Sequence, residues 1–287
     1  MASMRDIKRR KSSIQSTGQI TKAMKLVSTV KLQKSRTKAE STKPYFDLMY
    51  QTISEMLGKS GNINHRYLNA GDSPKKAVIA ITSNRGLAGG YNNNIVKLVQ
   101  ASTDLPMEDV LIYAIGRKGR DSFARRGYQI TADYSEVINQ PLYRDASDLT
   151  LELLDAFGQN KIGEIYLAYT SFKNTVSHTP KLIKLLPVVM EDTEEEQTHQ
   201  ARAQMTYEPN ADEVLEAVVP KYMSSLIYGA LLEAVASENG ARMTAMDSAT
   251  SNAEEMLDKL ELQYNRARQG SITQELTEII AGANAIS

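Results

Sequence analysis

From Ala211 to about Ala283 the chain reads as almost unbroken helix, some 70 residues that would extend about 110 Å at the α-helical rise. Ile227, Leu231, Ala234, Ala241, Ala245, Ala249, Met256, Leu260 and Ala267 recur at spacings that place them on an arc of about 100° of an ideal helix. Alanine dominates that seam, so another backbone can approach it closely. A helix this long has no place inside a compact globule; it requires a partner helix along its length. Pro220 is expected to bend its first turns.

The opposite end of the chain supplies a partner. Residues 4 to 57 read as a second long helix, with Ile20, Ala23, Met24, Val27 and Val30 on a stripe about 120° wide. Lys, Arg, Ser and Thr fill most of the other faces. Gly18 is a weak point, and Pro44 is expected to kink or restart the helix. Charge separates in the same way: Met1 to Pro44 holds 12 Lys/Arg against 2 Asp/Glu, whereas Ala211 to Ser287 holds 12 acidic against 5 basic residues. Three accounts fit: solvated helix faces with chance asymmetry, two ends that lie side by side, or a basic end that meets an acidic partner.

Between them the period changes. Apolar runs at Ala77–Thr82, Val110–Ile115 and Ile165–Tyr169 alternate with helical patterns near 93–101, 117–126 and 146–158. That alternation predicts a Rossmann-like α/β domain with a largely parallel sheet. A strand, a turn near Lys173-Asn174 and another strand predict an antiparallel edge at its end. Residues 58–74, rich in Gly and Asn/Asp, read as a linker, and the acidic stretch 191–200 as a mobile connection. The expected domains are 1–57, 75–190 and 211–287: an antiparallel coiled coil of the two terminal helices, with the α/β domain inserted as a foot.

The stretch "ITSNRGLAGGYNNN", residues 81–94, follows a strand and precedes a helix, as a phosphate cradle does. Its glycines, Gly86, Gly89 and Gly90, fit neither the dinucleotide fingerprint nor the P-loop spacing. It reads instead as a tight turn with Asn92 to Asn94 able to cap a helix. Gly116 and Gly119 in "IGRKGR" match neither template. His65, His178 and His199 are scattered and cysteine is absent, so neither a metal site nor thiol chemistry is expected. The basic run "RDIKRRKSS" has no interleaved aromatic residue, which disfavours nucleic acid. The N-terminus lacks the apolar core of a secretory signal, and the apolar stretch Leu226 to Ala236 is too short to span a bilayer. No cofactor is expected.

"QITKAMKLVSTVKL" and "YNRARQGSITQELTEIIAGANA", with "ITSNRGLAGGYN", "LIYGALLEAVASENGARMTAM" and "TYEPN", closely resemble the gamma subunit of F-type ATP synthases, in its bacterial form. The resemblance runs from the first helix to the last. It implies a non-catalytic central-stalk rotor whose coil turns inside a ring of alpha and beta subunits. Its foot would meet the epsilon subunit and the membrane c ring, so that ion flow drives conformational cycling of the beta subunits. It implies beta-subunit contact by Met24, Lys25, Arg242, Arg268, Gln269 and Thr273, and c-ring or epsilon contact by Tyr207 and Glu208. It also implies a peripheral place at the cytoplasmic face of the cell membrane. Lys25 and Asn84 stand where that family often has Glu and Asp. Lys25 would thereby add positive charge beside a beta-subunit lever, altering torque coupling or friction. A free-standing nucleotide-binding α/β enzyme with helical arms is the competing reading, and a coiled-coil scaffold without rotation is a third.

Overall fold

The computed structural model describes residues 4–59, 65–174, 177–188 and 210–286. The chain forms two compact units, one of Met1–Thr29 with Arg242–Ser287 and the other of Val30–Ala241. Both unit boundaries fall inside helices: α1 covers Met4–Lys59 and α5 covers Ala211–Ile286. Neither proline ends its helix, so of the kink or restart expected at Pro44 the restart does not occur. Pro44 is exposed, so one missing backbone N–H and the crowding of its ring are tolerated on the solvent side. One turn after Pro220, the Ser224 hydroxyl donates to the Pro220 carbonyl at 2.8 Å.

The larger unit is built on five strands in the order β3-β2-β1-β4-β5. These are β1 (Lys76–Ile81), β2 (Val110–Ile115), β3 (Gln129–Asp133), β4 (Glu164–Phe172) and β5 (His178–Leu186), joined through helices α2 (Tyr91–Ala101), α3 (Arg117–Arg125) and α4 (Tyr143–Gly158). The first four strands pair in parallel and β5 pairs antiparallel with β4, so the expected sheet and its edge are both present. Strand β3 has no counterpart in the sequence reading. Its residues alternate between exposed and half-buried, as on a sheet edge, and lack the continuous apolar run of the central strands.

The two faces of the sheet carry separate cores. Val78, Ala80, Ile112, Ala114 and Phe123 lie in the core beneath α2 and α3. Ile79, Ile81, Ile165 and Leu167 lie in the other, with Leu149, Leu153 and Phe157 of α4 and with Val219, Met223, Ile227 and Leu231 of α5. Each such side chain, fully buried, contributes about 1.5–3 kcal/mol. The predicted α5 seam thus holds at Ile227, Leu231 and Ala234, but here it lies in a core shared with the sheet and α4.

At the start of the central strands, three charged groups form one cross-strand row. Glu164 receives Lys76 Nζ and Lys184 Nζ, each at 2.8 Å, and the Tyr166 hydroxyl at 3.0 Å. Burial would raise the Glu164 carboxyl, but the donors from Lys184, Lys76 and Tyr166 overcome it and hold the group down at about 2. The second half of the expected linker is tied to the base of α5, where Glu216 pairs with Arg66 and, at 3.2 Å, with His65 Nε2.

Candidate functional site

The residues that follow β1, Thr82 to Asn84, close over the start of α3. Thr82 Oγ1 contacts the carbonyls of Ile115 and Gly116 and accepts the Gly119 N–H at 2.9 Å. The Ser83 carbonyl accepts the Lys118 N–H at 3.0 Å, and Asn84 Oδ1 accepts the Arg117 N–H at 3.0 Å. The three N–H groups at the start of α3, which would face a phosphate in a cradle after β2, therefore each have a protein acceptor. Gly116 and Gly119 have lost their side chains to Thr82: a Cβ on Gly119 would stand 2.5 Å from Thr82 Oγ1.

Two expectations for the turn after β1 need correction. Helix α2 starts at Tyr91 with Gly90 as its N-cap, and no side chain caps it. Asn92 instead turns back to Ser83, its Oδ1 accepting the Ser83 N–H at 2.8 Å. Asn84 is a clamp that uses both ends of its amide: besides accepting from Arg117, its Nδ2 donates to the Ser135 carbonyl at 2.7 Å. Asn84→Asp removes that donor and sets a carboxylate against a carbonyl, partly offset at the α3 N-terminus. A loss of about 1 kcal/mol is expected in urea unfolding of the chain; equal stability of the variant would show that the clamp is dispensable.

The smaller unit is an antiparallel helical pair. Gly18 packs toward Ala253, the hydroxyls of Thr21 and Thr250 lie 2.8 Å apart, Lys25 Nζ meets Asp247 Oδ1 at 2.5 Å, and Lys11 Nζ meets Glu261 at 3.0 Å. These partners sum to nearly the same residue number, which defines one antiparallel register. The basic and acidic ends of the chain do lie side by side.

The seam is not the one that apolarity predicts. On α1, Ile7, Thr21 and Ser28 are buried, whereas Ile20, Val27 and Val30 are 57–69% exposed. The predicted stripe lies about 140° around the helix from the buried line. On α5, Met246, Ala253 and Leu260 are buried, and Met256, placed on the seam by its spacing, is 51% exposed. The buried line of α1 follows alternating spacings of three and four through Ile7, Lys11, Ile14, Gly18, Thr21, Lys25 and Ser28. That heptad was present in the sequence but was carried by small and polar residues. Asp247, the partner of Lys25, was likewise missed.

Met24 and Arg242 are half-buried, Arg268, Gln269 and Thr273 are exposed, and Lys25 is engaged with Asp247. Tyr207 and Glu208, like the acidic stretch 191–200, lie outside the described residues. In the register above, Met4 stands opposite about Ala267. Ile272, Leu276, Ile279 and Ile280 lie farther along α5 than the described part of α1 reaches, and all are exposed on one face. The unit thus shows two uncovered apolar surfaces, the outer stripe of α1 and the end of α5, of the kind that mark protein contact. Among the described residues no group of His, Cys, Asp or Glu could hold a metal ion, and no helix is long and apolar enough to cross a membrane.

A helical pair with outward apolar faces, together with an α/β unit in which residues 82–84 close the start of α3, has the surface of a protein that contacts other proteins. Comparison with known proteins makes this specific. Residues 3–286 match the family model described as ATP synthase. The chain is 67% identical over 292 residues to the ATP synthase gamma chain of Lachnoclostridium phytofermentans, with 100% of both chains covered. It is 42% identical over 300 residues to the sodium ion specific ATP synthase gamma chain of Acetobacterium woodii, covering 99% of each. The chain belongs to the ATP synthase gamma-chain family. Its fold is shared with a chain from the Euglena gracilis mitochondrial ATP synthase (OSCP/F1/c-ring, rotational state 3), at a TM-score of 0.70, 17% identity and coverage of 99% and 94%. A chain from the rotor of the same organism's enzyme, in rotational state 1, gives 0.66 at 16% identity, with 94% and 98% covered.

Proposed function

We infer that this chain is the central-stalk rotor subunit of a rotary ATP synthase and is itself non-catalytic. It couples ion flow through a membrane c ring to conformational cycling of catalytic beta subunits, in either the synthesis or the hydrolysis direction. The observation that carries this reading is the pair of outward apolar surfaces, the stripe on α1 and the uncovered end of α5. Both are placed to slide against surrounding subunits rather than to close a core. An asymmetric shaft offers each beta subunit a different face, and a site whose two states differ in contact with that face changes its nucleotide affinity as the shaft turns.

In this reading the coil residues Met24, Arg242, Arg268, Gln269 and Thr273 meet beta-subunit loops. The foot meets the epsilon subunit and the c ring through Tyr207 and Glu208. Residues 1–57 and 211–287 then form the shaft with its roots and residues 75–190 the foot. The chain is held peripherally at the cytoplasmic face of the cell membrane through the complex.

Titrating the chain into matched alpha and beta subunits tests this. ATP hydrolysis is expected to rise and saturate when the chain is about equimolar with the ring, while the chain alone shows none. Hydrolysis by the purified chain, unchanged by those partners, would overturn the reading and return attention to the turn after β1.

A further inference from the structure

The Lys25–Asp247 pair sits on a stretch of the coil lined mostly by small residues. Around it α5 offers Ala245, Ala249 and Ala253 at intervals of four, and α1 offers Gly18, Thr21 and Ser28. A slide of one helical turn replaces alanine by alanine along this line, and of the buried α5 residues nearby, Met246 and Ala253, only Met246 is large enough for packing to resist it. The charged pair does discriminate. Moving α1 by one turn along α5 would bring Lys25 opposite Met243 or Ser251, neither of which carries a charge. Toward the C-terminus, the next carboxylate after Asp247 is Glu254, two turns away. The Thr21–Thr250 hydroxyl contact, one turn off at 2.8 Å, marks the same register.

We propose that Lys25 and Asp247 form a register clamp. Lys25 acts on the catalytic subunits as a positioning residue, by fixing how Met24 and Val27 are presented, and not by offering them its own charge. This rests on the rotor reading, and it replaces the expectation that Lys25 adds free positive charge beside a beta-subunit lever. An exposed ion pair adds little stability by itself. Its effect here is to separate registers that are otherwise close in energy. Glutamate at position 25 would set two carboxylates against each other and favour a slip.

The chain has no cysteine, so introduced pairs report without background. Thr21→Cys with Thr250→Cys reads the observed register. Thr21→Cys with Met246→Cys, or with Glu254→Cys, reads the two one-turn slips. Each pair is oxidised in the full chain assembled with alpha and beta subunits, and the intrachain disulfide is quantified beside ATP turnover. With Lys25 in place the 21–250 link is expected to exceed either slipped link about tenfold. Lys25→Glu should erase most of that preference and lower coupled turnover, and adding Asp247→Lys should restore both.

Unchanged links in Lys25→Glu overturn the clamp, as does a slip that Asp247→Lys fails to reverse. Slip and rescue without a parallel change in turnover overturn its functional part. The links read the chain itself, so failure of the rotor reading shows separately, as absent ATPase stimulation by the unsubstituted chain.

Discussion

Gly116→Ala is expected to cost the larger unit about 4 kcal/mol or more, a large fraction of the stability of an ordinary domain. Two effects combine. Gly116 has φ +103°, a conformation that strains an L-residue by about 1–3 kcal/mol. Its new Cβ would also overlap the Thr82 carbonyl and lie 2.7 Å from Thr82 Oγ1. Thr82 cannot retreat, because its own N–H is bonded to the Ile115 carbonyl at 2.7 Å and its hydroxyl holds the first turn of α3. Gly89→Ala is the control: it also has positive φ, but no atom lies within 4 Å of its Cβ, so about 1 kcal/mol is expected. Urea unfolding of the full chain, followed by circular dichroism, compares them. Equal losses in the two variants would show that the contact with Thr82 carries no weight.

Glu164→Gln is expected to cost about 2–3 kcal/mol at neutral pH, because it leaves Lys76 and Lys184 together without their carboxylate. The effect carries a pH signature with a definite sign. The folded-state value of Glu164 is depressed, to about 2, below the ordinary value of 4.5. Its contribution is therefore full above about pH 4.5 and is lost as pH falls toward 2. The gap between wild type and Glu164→Gln should be constant from pH 5 to 7 and should narrow below pH 4. A gap that keeps its full size at pH 2.5 would mean that the variant acts through packing and not through charge.

Much of the foot was legible because its central strands are buried on both faces. Such strands are largely apolar, and β1, β2 and the first half of β4 appear as runs of Ala, Val, Ile, Leu and Tyr. Edge strand β3, with Gln129, Thr131 and Asp133 outward, has no such requirement and left no run to find. The glycine turn was legible only in the negative, as a spacing that fits no phosphate loop. What Gly116 and Gly119 are for depends on Thr82, which comes from a different strand end more than thirty residues away.

The candidate contact surface divides along similar lines. Helix length, the alternation of strand and helix, and opposite charge at the two ends are local or additive properties, so the sequence alone determines two long helices around an α/β insert. Which face of α1 turns inward is not local. Apolarity pointed to Ile20, Val27 and Val30, yet the buried line is Gly18, Thr21 and Ser28, with Lys25 paired across the seam. In a chain that folds alone, apolar stripes close inward; in one that meets other subunits, the largest apolar side chains can serve the outer contact. Only the tertiary structure decided between these, because the choice depends on the residues of α5 that stand opposite, Asp247, Thr250 and Ala253, more than two hundred positions along the chain.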